Sequence, residues 1–153
     1  MAEEEQKFEI QKIFIKDVSF ESPNSPDIFR EQWQPKTDIH IGAQNNKIND
    51  DNYEVTLSVT VTAKQDDKTA FLVELKQSGV FLIKNFPQDQ LKQLLGSYCP
   101  HTLFPFAREA ISDFISKGGF PPMLLTPVNF DALYAQQMAK LKEQQPTDKD
   151  IKH

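Results

Sequence analysis

The sequence predicts an α+β domain: an antiparallel four-stranded sheet with a long crossover loop, followed by two main helices. Three observations lead there. Residues 53–63 alternate between apolar and polar side chains at every step, the mark of a half-buried strand. After Pro87 the apolar spacing lengthens to that of helices. The strand-like segments all precede the helical ones, so no strand–helix–strand unit is available to build a parallel sheet. At 153 residues the chain has the length of one domain, 1–153, with a flexible acidic start (1–7) and a flexible polar tail (146–153) expected.

The first strand is expected over residues 8–21, rich in Phe, Ile and Val. Uninterrupted alternation places Phe8, Ile10, Phe14, Val18 and Phe20 on one face. Glu9, Ile13, Ile15, Asp17 and Glu21 then fall on the other. Residues 22–52 follow, broken by Pro23, Pro26 and Pro35 and by the polar run Gln44–Asn52. About thirty residues is long for a connection, where ~4–6 is usual. The segment carries Ile28, Phe29, Trp33, Ile39 and Ile41, so it reads either as a functional loop or as a cover for the sheet edge. Thr37–Ile41 suggests a minor strand. Tyr53–Ala63 is the clearest strand, Asp66-Asp67-Lys68 a polar hairpin turn, and Thr69–Gln77 the returning strand. Ser78-Gly79 is expected to break it before a short apolar strand at Val80–Ile83.

Gln88–Tyr98 is a short helical stretch that Pro100 should interrupt. A longer helix follows at about Leu103–Lys117, with Phe104, Ala107, Ile111, Phe114 and Ile115 on one stripe and Gly118-Gly119 as its stop. Residues 120–128, FPPMLLTPV, form an apolar, proline-rich connector. Asn129 is placed to cap a last helix, Phe130–Gln145, with Asp131 in its first turn and an apolar stripe of Phe130, Leu133, Tyr134, Met138 and Leu141.

Composition excludes several functions. The chain holds 17 Lys+Arg against 22 Asp+Glu, net −5, which argues against a nucleic-acid coat. The excess is uneven: residues 1–76 hold 15 acids and 9 bases, residues 77–153 hold 7 and 8. No apolar run approaches the ~18 residues of a membrane span, and MAEEEQK lacks the basic and apolar regions of a signal peptide. A soluble protein without membrane insertion is expected. The lone Cys99 cannot pair within the chain, in keeping with a reducing compartment. Five scattered glycines build neither a phosphate loop nor a dinucleotide fingerprint. His40, His101 and His153 show no metal-ligand spacing with Cys99. Cys99 and His101, two apart beside Pro100, read better as a buried thiol next to a surface histidine than as a nucleophile pair. Neither catalysis nor a cofactor is expected.

Two surfaces invite explanation. Phe71, Val73 and Leu75 read either as core or as a flat apolar face for self-association. Asp17, Glu21 and Glu74 beside Leu72 read either as a solvated sheet face or as a dock for a basic partner; Asp17 and Glu21 would lie roughly 13 Å apart along a strand.

The stretches IFIKDVSFESPNSP, WQP, YEVTLSVTVTA, TAFLVELKQSGVF, SYCPHTLFPFAREAIS and FPPMLLTPVNFDALY together resemble the bacterial protein-export chaperone family SecB, in the same order and with similar spacing over about Phe8–Tyr134. Val73 stands where family members often carry cysteine, and Ser78 where they carry a second glycine. The resemblance implies a cytoplasmic homotetramer, a dimer of dimers, that binds unfolded preproteins without ATP and delivers them to the SecA motor. It implies no cofactor, metal or nucleic acid. The zinc-containing C-terminal tail of SecA would bind at Asp17, Glu21, Leu72 and Glu74. Phe71, Val73, Leu75 and Gln77 match positions important for tetramer assembly. Client grooves would be lined by Phe29, Trp33, Met123, Leu124, Leu125, Phe130, Leu133 and Tyr134. A SecB-like chaperone dedicated to an antitoxin is a neighbouring reading, against which the three acids of the sheet face stand.

Overall fold

The alternation of residues 53–63 becomes the centre of the sheet. The computed structural model describes residues 5–144, with nothing described for the side chain of Gln144. The expected tail, 146–153, and the first four residues lie outside them. The strands are β1 (Lys7–Glu21), β2 (Lys36–Lys47), β3 (Asn52–Gln65) and β4 (Lys68–Lys84), in the order β1-β4-β3-β2 with every neighbouring pair antiparallel. Val55, Leu57, Val59, Val61 and Ala63 of β3 are sealed, while Thr56, Ser58, Thr60 and Thr62 between them stay partly open. β4 pairs with β3 through the tight turn at Asp66 and Asp67, both in the left-handed conformation that Asp tolerates.

The count of four strands holds, but their membership differs from the expectation. The suspected minor strand at Thr37–Ile41 is a full edge strand: Gln44, Asn45 and Asn46 pair with Thr56, Val55 and Glu54. On an edge the backbone ladder suffices and side chains remain solvated, so polar residues do not end the strand. β4 is one strand of 17 residues and does not break at Ser78-Gly79. A Cβ at Gly79 would lie 2.8 Å from Phe81 Cε2 and 3.0 Å from Leu103 Cδ2, so this glycine admits a close helix and makes no turn. β1 carries two bulges, between Ile10 and Lys12 and between Ile15 and Asp17. Each extra residue resets the parity. Phe8, Ile10, Ile13, Ile15, Val18 and Phe20 therefore lie opposite Ile83, Phe81, Gly79, Gln77, Leu75 and Val73 on the helix side. Phe14 moves to the other face, opposite Ser78.

The crossover between β1 and β2 is pinned over the sheet end. A single 3₁₀ turn, Asp27–Arg30, buries Ile28. Buried Gln65 accepts from the Gln34 N–H (2.8 Å) and donates to Glu31 Oε2 (3.1 Å), and Asn24 Nδ2 donates to the Thr69 carbonyl (2.9 Å). These bonds satisfy polar groups that the covering loop would otherwise strand.

The helical half is α1 (Gln88–Gln93), a π turn (Leu94–Tyr98), α2 (Cys99–Lys117) and α3 (Phe130–Gln144). Pro100 does not interrupt the run from Gln88 to Lys117. The chain widens just ahead of it, with the Cys99 N–H bonded to the Leu94 carbonyl, and the proline then sits in the first turn of α2 where its missing N–H costs little. α2 lies across β4 and β3 and buries Leu103, Phe104, Ala107, Ile111 and Ile115. Its end is closed by Gly119 at φ 91° with Phe120 N–H to Ile115 O (3.2 Å) and Gly119 N–H to Ser116 O (3.0 Å), a Schellman pair. Asn129 caps α3 as expected, its Oδ1 accepting from the Ala132 N–H at 3.0 Å. Among the described residues no helix is long and apolar enough to cross a membrane.

Candidate functional site

Three consecutive rows run across the sheet face away from α2. Asp38, Thr62, Leu72 and Glu21 make one; His40, Thr60, Glu74 and Ser19 the next; Gly42, Ser58, Lys76 and Asp17 the third. Residues directly opposite share a face, so the register brings Asp17, Glu21, Leu72 and Glu74 together on one flat surface. Asp17, Glu21 and Glu74 are exposed and Leu72 half-buried. Within these rows the carboxylates of Asp17, Glu21, Glu74 and Asp38 face one lysine, Lys76, which stands opposite Asp17. Asp38 also holds His40 at 2.9 Å. The alternation of β2 could have exposed Asp38 and His40 as members of this face, had the strand been read at its full length.

Phe71, Val73, Leu75 and Gln77 occupy the opposite face and require a correction. All four are sealed inside this one chain, Val73 with no exposed area at all. Phe71 stacks near Phe20 (6.1 Å between ring centres) and Phe120 (5.0 Å), and Gln77 donates to the Phe14 carbonyl at 3.0 Å. They therefore present no flat face to a second protomer. Phe71, Val73 and Leu75 are core, and Gln77 stitches irregular β1 to β4.

The eight groove candidates separate by burial and place. Phe29 and Trp33 gather at the crossover end over Phe120, with ring centres 5.0 and 5.3 Å away. Phe29 remains 47% exposed and Trp33 half-buried, so this aromatic seam is open to solvent. Leu124 is 72% exposed and borders a shallow cleft with Pro105, Arg108 and Ser112 on α2, and Met123 beside it is half-buried. Leu125 and Phe130 are core, each 3% exposed, and correct the expectation that they line a groove. Phe130 meets Phe104 edge-to-face at 5.7 Å, which uses the ring to anchor α3. Leu133 and Tyr134 are half-buried on α3.

Tyr134 faces a roomy opening of mixed character. β2, the π turn and α3 enclose about 520 Å³ between Ala43, Asn45, Leu95, Gly96, Tyr134 and Met138, with Leu141 at the rim. Gly96 and the β2 residues Ala43 and Asn45 are additions that no spacing in the sequence announced, and buried Phe120 supports the crossover rings from below. Phe120 sits in a connector without period, and β2 is too polar to betray its place.

The chemistry of these openings is that of adhesion. Flexible Met and Leu and flat aromatic rings can hold apolar side chains without fixed order, and Asn45, Lys92, Gln137 and Lys142 add polar contacts around the opening under Tyr134. Cys99 is fully buried, which pushes its thiol up to about 12, and His101 is exposed with its ring edge on Phe130. A thiol that stays protonated is no nucleophile. Among the described residues no three of His, Cys, Asp and Glu stand close enough to share a metal ion.

Comparison with known proteins meets this geometry. The family described as preprotein translocase subunit SecB matches residues 1–141. A protein-export protein SecB of Methylococcus capsulatus is 54% identical over 140 residues, spanning 92% of this chain and 90% of its own. That of Nitrosococcus oceani is 56% identical over 133 residues, 86% of this chain and 81% of its own. Among solved structures, a SecB-like chaperone of Mycobacterium tuberculosis in complex with an antitoxin peptide shares the fold at a TM-score of 0.65 and 13% identity, covering 79% of this chain and 90% of that one. The four-stranded sheet, the crossover and the helices thus lie on a known scaffold, and the chain belongs to the SecB family.

Proposed function

We propose that this protein is a chaperone of protein export, which binds unfolded precursor polypeptides, keeps them competent for translocation and delivers them to the SecA motor without ATP. The observation that carries the reading is a pair of open surfaces rich in apolar side chains, the Phe29–Trp33 seam over buried Phe120 and the opening beside Tyr134 and Met138. An unfolded chain offers apolar side chains in no fixed sequence, and several weak apolar sites on one assembly raise the overall affinity by effective concentration. Membership of the SecB family supports the same role.

The acidic face is the dock for SecA in this reading. Exposed Asp17, Glu21 and Glu74 would steer a basic tail, while half-buried Leu72 offers it an apolar contact. The reading also carries a cytoplasmic location and a homotetramer, a dimer of dimers. With Phe71, Val73, Leu75 and Gln77 occupied in the core, contacts between protomers fall to what is open. β1 is a free edge with Ile10 and Ile15 nearly half exposed, and Phe106 on α2 is 50% exposed.

Light scattering tests the function. A denatured secretory precursor diluted into buffer should stay clear when this protein is present without nucleotide, and mass in solution should show the tetramer and its complex. Undiminished scattering at a several-fold excess of the protein would overturn the proposal.

A further inference from the structure

α3 is fastened at one end. Asp131, in its first turn, accepts on the same Oδ1 from Ser97 Oγ at 2.5 Å and from Gln93 Nε2 at 3.0 Å. Gln93 and Ser97 are four residues apart, so both donors rise from one side of the helical run that carries the π turn. One turn further along α3, the Tyr134 ring lies directly on Gly96, with no room for a Cβ between them. Along α3 burial fades: Phe130 is sealed, Met138 half-buried and Leu141 53% exposed. Among the described residues the backbone of α3 runs nearest the π turn, while the Phe130 ring at its start holds Phe104 of α2.

Tyr134, Met138 and Leu141 form one wall of the opening whose other wall is β2. That wall extends from a fastening of a few groups, so the fastening sets where it stands. We infer that Asp131 is a positioning residue for this groove: by holding Ser97 and Gln93 it fixes the separation between α3 and β2, and with it the fit of an extended apolar segment. The inference rests on the groove reading proposed above and adds a residue outside the lining of that groove. The low exposure of Ser97 shields its bond to the Asp131 oxygen from water.

The test uses the full chain with Asp131→Ala, Asp131→Asn and the pair Ser97→Ala with Gln93→Ala. Two readouts are taken: hydrogen exchange of α3 amides, and release of a fluorescein-labelled peptide of alternating Leu and Ser. Asp131→Ala and the Ser97/Gln93 pair should both accelerate exchange in α3 and speed peptide release by about fivefold to tenfold, with the melting temperature of the sheet unchanged. Asp131→Asn keeps the accepting oxygen and should stay within about twofold of the parent. Unchanged exchange and release in the alanine variants would overturn the inference. So would Asp131→Asn behaving like Asp131→Ala, which would assign the effect to charge at the helix start. A parent protein that fails to bind the peptide overturns the proposed function instead, and exchange in α3 then decides the inference alone.

Discussion

On the helix side of the sheet, Val55, Leu57, Val59, Val61, Phe71, Val73 and Leu75 are sealed beneath α2 and the crossover. On the other side Thr56, Ser58, Thr60, Thr62, Glu74 and Lys76 alternate with them and remain open in varying degree. Neighbours in sequence therefore live under different physics. Val73 answers to packing and Glu74 to solvent, although a single peptide bond joins them. The lesson is that an open face and a stability face can be altered separately on one strand, provided its parity is known.

The most severe way to break this comparison is to put the chemistry of one face on the other. Val73→Asp buries an unpaired carboxylate and should cost about 4 kcal/mol or more. Its expected outcome, by circular dichroism and by mass in solution, is loss of the fold or a far lower melting temperature. A well-folded smaller oligomer melting like the parent would show that Val73 meets another protomer and that the helix side is not closed.

A milder test concerns the thiol beneath α2. The folded protein holds the Cys99 proton up to about 12, against 9.0 for a free thiol. The unfolded chain loses that proton first, so this contribution is complete below pH 9 and is lost as pH rises toward 12. The expected decline is about 1.4 kcal/mol per pH unit within that window. Urea titrations of the parent and Cys99→Ala at several pH values isolate it; parallel slopes for the two would show the thiol to be reachable by solvent.

The smallest expected effect on stability is on the open face. Glu74→Lys should change it by no more than ~0.5 kcal/mol and leave precursor binding intact, while weakening a zinc-loaded SecA tail peptide by at least about tenfold. Calorimetric titration with the peptide and a thermal melt check both halves. Joint loss of precursor and tail binding in a folded protein would sharpen the comparison differently, joining two surfaces that are kept apart here.

Much of the fold is legible in the sequence, and the rest is hidden for definite reasons. β3 was readable because burial on one face writes its period directly into the residues. The acidic face followed from that parity within β4 and the end of β1. The phase of β1 was hidden because Gln11 and Lys16 look like ordinary strand residues, and nothing about a bulge alters composition. Gly79 read as a break because a glycine needed for helix approach and one needed for a turn are the same letter. The opening beside Tyr134 was least legible: its walls come from β2, the π turn and α3, far apart in sequence, and buried Leu125 and Phe130 differ from exposed neighbours such as Leu124 only in what covers them.

The two bulges of β1 bear on how this molecule survives its own surroundings. A long outer strand with open backbone groups is a template on which any extended chain can crystallise. Interrupting its repeat twice within a single strand bends and twists that edge, so a straight foreign segment falls out of step after a few residues. The irregularity thus keeps a long outer strand from serving as a straight template for fibres.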